Sequence, residues 1–369
     1  MDQRDQILAL NAVPGLGPQR VKKIFDHFGC GQNIFALHEN DLLAASFLPD
    51  AVVKEIKRFP FQEFLSQEHQ WIAKRRASVV TFFDQDYPSL LREIADPPIV
   101  LYACGNCSLL KDLCLAVVGC RKASVYGIMT AERLAEELAQ YQLVIVSGLA
   151  KGIDAASHRG ALRVCGKTIA VLGTGLNHIY PQENKKLFEA IAEQGLILSE
   201  FSMSTPARSG HFPRRNRIVS GLSLGVVVVE AAKRSGALIT ADLALEQGRD
   251  VFAVPGKIDA ISAQGTNILI QQGAKLISCA QDVLDELGLE LKSVEEKSSL
   301  PLLSSCQART KDLRVQEKNV LHLLSKSPIT LDALCQASGL PMTQLYNVLL
   351  SLELKGFVRQ MPGKLFVIR

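Results

Sequence analysis

No apolar run in the 369-residue chain approaches the ~18 residues that a membrane-crossing helix needs. The opening residues Met1-Asp2-Gln3-Arg4-Asp5 lack the basic stretch followed by an apolar one that marks a secretory signal. The chain is therefore expected in the cytosol, away from membranes, with its nine cysteines as reduced thiols. Charge of one sign is also scarce. Forty-one Lys and Arg face 37 Asp and Glu, a net charge of +4, which excludes a protein that coats polyanions by bulk charge. Any nucleic-acid role must come from a local basic patch. There is no Walker A sequence, so P-loop ATP hydrolysis is excluded. The dinucleotide fingerprint is missing too: in Gly173-Thr174-Gly175-Leu176-Asn177-His178 a histidine stands where the third glycine belongs. NAD is disfavoured, and no cofactor is expected.

What remains is an ordinary globular composition, 47% hydrophobic and 21% charged, which argues against a disordered chain. The length suggests two or three domains. Residues 1–72 read as short helices. They contain Val13-Pro14-Gly15-Leu16-Gly17-Pro18 followed by Gln19-Arg20-Val21-Lys22-Lys23-Ile24, a helix–hairpin–helix spacing. Its turn N–H groups could face a phosphate. A plain helical hairpin packed on its own chain explains the same residues.

Residues 73–290 change pattern. Apolar runs at 115–118, 143–146, 168–172, 196–198, 226–229 and 251–254 alternate with amphipathic segments. Continuous apolar runs indicate strands buried on both faces, so the rhythm predicts an α/β, doubly wound parallel sheet of Rossmann type. Residues 291–312 are rich in Ser, Lys and Glu and read as a flexible linker. Residues 313–369 predict helices over Gln316–Lys326, Leu331–Ala337 and Thr343–Lys355. A hairpin of Phe357–Gln360 and Lys364–Ile368 around Pro362-Gly363 completes the winged-helix plan.

Open α/β sheets bind ligands outside the C-terminal ends of their strands. Three such ends here run into glycine loops with a cation in reach. They are Gly119-Cys120-Arg121-Lys122, Ser147-Gly148-Leu149-Ala150-Lys151, and Gly173-Thr174-Gly175 with Tyr180, Pro181 and Lys185 downstream. Tight turns explain the glycines but not a cation in every loop, so the set reads as a phosphate-binding face. The densest local charge is Arg208 to Arg217, four arginines in ten residues with no acid and with His211 and Phe212 interleaved. It offers phosphate forks beside stacking faces, which suits a single strand, and a solvated charged loop is the plain alternative. Asp154 and His158 could form an acid–base pair, though a capping Asp and an ordinary helical His fit better. Glu200 and Glu230 each follow a strand as possible bases or as charge partners. Cys104, Cys107, Cys114 and Cys120 have partial metal-site spacing, but two of them straddle a strand that should be buried, so no metal is expected.

Segments from Tyr87 to about Ile277 resemble the bacterial DNA-processing protein A (DprA/Smf) family. The resemblance rests on Tyr87-Pro88-Ser89-Leu90-Leu91, Val118-Gly119-Cys120-Arg121, Ser147 to Asp154, Phe212-Pro213-Arg214-Arg215-Asn216-Arg217 and Ser235 to Thr240, among others. It implies a non-enzymatic homodimer that binds single-stranded DNA through an extended Rossmann domain. In the family this DNA can already carry single-strand-binding protein and is handed to the recombinase RecA in natural transformation. It carries DNA contacts onto Arg121, Lys185, Arg215, Asn216 and Arg217. Together with the residue reading, the expected binding set is Gly119, Arg121, Ser147, Gly148, Lys151, Gly173, Lys185, Phe212, Arg215, Asn216 and Arg217. Cys120 departs from the usual Ser and is a poorer donor. The third helix of the winged-helix segment has no cation before Lys355, which favours protein contact over major-groove readout. The rival reading is a Rossmann-type nucleoside-monophosphate phosphoribohydrolase with Glu230 as base. Against it, Gly225–Glu230 lacks the Pro-Gly-Gly run of those enzymes. A structural adaptor for acidic proteins is the third reading.

Overall fold

The N-terminal residues are helical where apolar positions recur at helical spacing. The elements are α1 (Gln3–Ala12), α2 (Pro18–Phe28), α3 (Glu39–Leu43), α4 (Asp50–Arg58) and α5 (Phe61–Arg75). Helix α2 buries Val21, Ile24 and Phe25, and α4 buries Val52, Val53 and Ile56. The computed structural model describes residues 1–29, 31–291, 315–324, 329–355, 357–361 and 365–368.

The chain continues through β1 (Ser78–Thr81), α6 (Ser89–Arg92), β2 (Val100–Gly105), β3 (Cys114–Val118), α7 (Val125–Gln140), β4 (Val144–Ser147), α8 (Ile153–Arg163) and β5 (Thr168–Leu172). Then come α9 (Lys185–Gln194), β6 (Leu196–Ser199), α10 (His211–Gly221), β7 (Gly225–Val228), α11 (Gly236–Glu246), β8 (Asp250–Ala253), α12 (Gln264–Gln271), β9 (Lys275–Leu276) and α13 (Ala280–Glu286). All six apolar runs are strands. They lie in one sheet of order β1-β2-β6-β5-β4-β3-β7-β8-β9, parallel from β6 to β9. The antiparallel pairs β1–β2 and β2–β6 extend one edge.

Alternation along the strands explains the double-sided core. Cys114, Ala116 and Val118 of β3 join one apolar cluster, while Leu115 and Val117 join the other. The first cluster also contains Ile7, Ile24 and Ile56 beside Val100, Leu101 and Ile197, so the helical segment shares its core with the sheet. Residues Met1–Ser293 accordingly form one compact unit, and Val294–Arg369 form another. The chain leaves β3 for β4 on one side and later reaches β7 on the other. Such a reversal opens a crevice at the strand ends.

The second unit contains α14 (Val315–Leu323), β10 (Ile329–Thr330), α15 (Leu331–Ser338), α16 (Met342–Leu354), β11 (Val358–Met361) and β12 (Leu365–Ile368), with sheet order β10-β12-β11. Val320, Leu334, Leu345, Leu349 and Phe366 fill its core. The expected linker, apart from Leu291, and the turn Pro362-Gly363 lie outside the described residues.

Candidate functional site

An open groove of about 530 Å³ lies at the β3/β7 reversal. Gly119, Arg121 and Gly148 come from the strand-end loops, Tyr180 from the loop before α9, and Phe212 and Asn216 from α10. The N-terminus of α11 closes one side, with Ser235 Oγ capping the Ala237 N–H at 3.3 Å. Arg121 is exposed, and its guanidinium lies 5.2 Å from the Phe212 ring. Phe212 in turn lies 5.3 Å from the Tyr180 ring, which is 45% exposed. Arg121, Arg208 and Lys185 form no ion pair among the described residues.

Hydrogen bonds tie the loops to one another. The Cys120 N–H donates to the Glu230 carbonyl at 2.8 Å, which ties the ends of β3 and β7 together. Asn184 Nδ2 donates to the Leu149 carbonyl at 2.9 Å, which brings the start of α9, and so exposed Lys185, to the β4 loop. Gly173 passes under Phe212, where a Cβ would stand 2.9 Å from Cδ1. Lys151 is exposed and pairs with Glu183.

Arg208 to Arg217 is not the loop that its composition suggests. From His211 onward it is α10, which buries Arg215, Arg217, Ile218 and Val219 and leaves the half-buried Phe212 on the groove. Pro213 sits in the first turn, where its missing N–H costs little. The helix points the arginines in different directions. Arg217 is buried, 2.6 Å from Glu200 and 3.3 Å from Asp96, and does not reach the groove. Arg214 also pairs with Glu200, at 3.0 Å. Arg215 is only 4% exposed, and its Nη1 donates to the carbonyls of Gly148, at 2.7 Å, and Val171. Burial lowers its pKa to about 10, with the Asp154 carboxylate acting in the opposite sense. Arg215 therefore braces the groove floor rather than offering an open fork. Ser147 is turned inward as well, donating to the Val117 carbonyl at 2.7 Å. These three side chains turn inward for one reason: strand ends and helix starts leave carbonyls and carboxylates inside, and these groups pair with them.

Asp154 and His158 do not form a pair. Asp154 Oδ2 accepts from the Gly148 N–H at 3.2 Å and the Ala150 N–H at 3.4 Å, and its burial pushes the carboxyl pKa up. His158 is fully buried with Nδ1 2.7 Å from Thr168 Oγ1. That hydroxyl donates to the Ile145 carbonyl at 2.6 Å, so Nδ1 carries a proton and Oγ1 accepts it. Burial drives the His158 pKa down to about 3. Glu230 is engaged as well: Oε2 accepts the Ser124 N–H at 2.9 Å and Oε1 the Ser124 hydroxyl at 2.5 Å, at the start of α7.

In the helical hairpin, Arg20 donates back to the Gly15 carbonyl at 3.0 Å and Lys22 sits 5.0 Å from the Phe82 ring. Both side chains are thus engaged with the protein's own residues. Cys104 and Cys114 donate to the carbonyls of Arg75 and Asp112, and burial raises both thiol pKa values. Among the described residues no cluster of three or more metal-ligating side chains occurs, and no helix is long and apolar enough to cross a membrane.

Glycine turns, exposed cations and two aromatic rings stand together at the reversal of a parallel sheet in an α/β protein. Residues 78–288 match the family model of DNA recombination-mediator protein A, and residues 307–364 match that of the DprA winged helix domain. The chain belongs to the DNA recombination-mediator protein A family. It is 37% identical to Protein Smf of Synechocystis sp. over 389 residues, covering 96% of each chain. It is 50% identical to DNA processing protein DprA of Streptococcus pneumoniae over 206 residues, covering 56% of this chain and 73% of that one. The solved structure of Streptococcus pneumoniae DprA matches with a TM-score of 0.70 at 40% identity, over 79% of this chain and 99% of that one. DNA processing protein A of Helicobacter pylori, solved in work on its single-stranded DNA binding mode, matches with a TM-score of 0.54 at 33% identity, over 59% of this chain and 98% of that one.

Proposed function

We propose that the groove binds single-stranded DNA and that the chain is a recombination mediator rather than an enzyme. The backbone runs past Gly119, Gly148 and Gly173, with Arg121, Lys185 and Arg208 facing phosphates and Lys151 and Asn216 flanking the path. Bases stack on Phe212 and Tyr180. Arg215 and Arg217 act on the DNA only by holding α10 in place. The carrying observation is the Arg121 guanidinium, exposed and set over the Phe212 ring, with no ion pair of its own among the described residues. The single-stranded DNA binding of the Helicobacter pylori relative supports the same reading. In the cell the protein works in the cytoplasm as a homodimer. It takes incoming strands during natural transformation, in the presence of single-strand-binding protein, and passes them to RecA.

The test is an anisotropy titration with single- and double-stranded oligonucleotides at several salt concentrations. Single strands should bind more tightly, with affinity falling steeply as salt rises. Equal affinity for duplex, or binding indifferent to salt, overturns the reading. Transfer to RecA is measured by whether the protein restores RecA filament formation on strands coated with single-strand-binding protein.

A further inference from the structure

A second hollow of about 390 Å³ lies between α5 and the segment that leads into α10. Phe64, Glu68, Trp71, Thr205, Arg208 and His211 line it. Phe64, Glu68 and Trp71 recur at spacings of four and three, so they share one face of α5. Arg208 lines both hollows, so residues around it form a partition with a groove on either side. The volume is within the ~300–1,000 Å³ range of small-molecule sites.

The chemistry of the hollow suits a flat, polar-edged ring. Trp71 is only half-buried and presents aromatic surface, with Lys74 Nζ 4.9 Å from its ring. Arg208 supplies an exposed cation at the shared wall. Gln67 and Ser204 offer uncharged hydrogen-bonding groups. Glu68 is held inside by the Met203 N–H at 2.8 Å, and burial raises its pKa. Cations at the wall and rim suit phosphates, and an aromatic face suits a base.

We propose that the strand occupying the first groove continues over Arg208 and places a nucleobase in this second hollow, stacked on Trp71. This rests on the reading of the first groove as a single-stranded DNA site. It assigns the helical N-terminal segment a direct part in binding, through α5 rather than through the glycine hairpin. A duplex does not use the hollow, because its bases are held in the stack.

Trp71 is the only tryptophan in the chain, so its emission reports this hollow. The full-length protein is titrated with mixed-sequence oligonucleotides of about 4 and about 16 nucleotides, spanning the usual range of single-strand site sizes. Anisotropy and tryptophan emission are followed together. The long oligonucleotide should quench Trp71 and shield it from acrylamide, and the short one should do so far less. Trp71→Ala should weaken the long oligonucleotide at least about five-fold and leave the short one unchanged, while Trp71→Phe should retain much of the affinity. If Trp71→Ala does not fold, the emission of the unmodified protein and the Trp71→Phe titration decide. Anisotropy that reports tight binding with no change in Trp71 emission or acrylamide access overturns the second hollow and leaves the first groove standing. Equal quenching by both lengths with no loss in Trp71→Phe or Trp71→Ala also overturns it. No binding by anisotropy removes the first groove and this inference together.

Discussion

Arg215 donates from Nη1 to the carbonyl of Gly148 at 2.7 Å, and its guanidinium fills the space that a Cβ on residue 148 would need. The glycine at the end of β4 is therefore a packing requirement set by an arginine 67 residues downstream. Gly148→Ala should cost about 1–3 kcal/mol through overpacking. Arg215→Ala should cost about 3 kcal/mol or more, since it leaves buried carbonyls and the Asp154 carboxylate without their partner. Urea unfolding checks both. A stable Arg215→Ala protein that only loses DNA affinity would instead make Arg215 a direct contact.

Arg121 and Lys185 make the opposite case. Both are exposed and neither is tied into the fold by an ion pair among the described residues. Arg121→Ala and Lys185→Ala should leave the melting temperature unchanged and lower affinity for single strands. Each should reduce the slope of log affinity against log salt by roughly 0.7, the value for one phosphate contact on a single strand. Unchanged titrations for both variants would displace the strand from this groove.

His158 sets a pH dependence of stability. It is neutral in the fold with a pKa near 3 and takes up a proton near pH 6.5 once unfolded. The unfolded chain thus binds more protons between those values, so stability rises with pH across the window and falls as pH drops from 6.5 toward 3. The share lost by pH 5 is about 2 kcal/mol. In His158→Gln, the difference between urea midpoints at pH 7 and pH 5 should shrink accordingly. A difference equal to that of the unmodified protein refutes the assignment.

Glu230 separates a binding protein from a nucleotide-cleaving one. Its carboxylate is engaged by the Ser124 N–H and hydroxyl. Glu230→Gln should cost about 1–2 kcal/mol of stability and leave single-strand affinity intact. Neither protein should release free base from nucleoside monophosphates. Release by the unmodified protein that disappears in the variant would establish the enzymatic alternative.

The sheet was legible because strands buried on both faces need continuous apolar runs, and Val226 to Val229 or Thr168 to Leu172 offer nothing else to a solvent-facing element. The glycine loops were legible for a related reason: they follow those runs directly. Helix α10 was not, because three arginines and a proline masked the apolar spacing of Ile218, Val219 and Leu222. The burial of Arg215 and Arg217 was hidden further still. Charge ordinarily means exposure, and the groups that draw these side chains inward, Glu200, Asp96 and the Gly148 and Val171 carbonyls, all lie on other elements, outside the helix. The Trp71 hollow left no local signature, since its walls come from segments more than a hundred residues apart.

Helix α10 is fastened at several points. Arg215 ties it to the ends of β4 and β5, and Arg217 ties it to Glu200 beyond β6 and to Asp96. The groove wall is thus mechanically part of the sheet. In the proposed reading, tension on a strand seated against Phe212 passes through these bonds to the parallel ladder. In that reading the helix serves the strand as a rail fixed to the sheet.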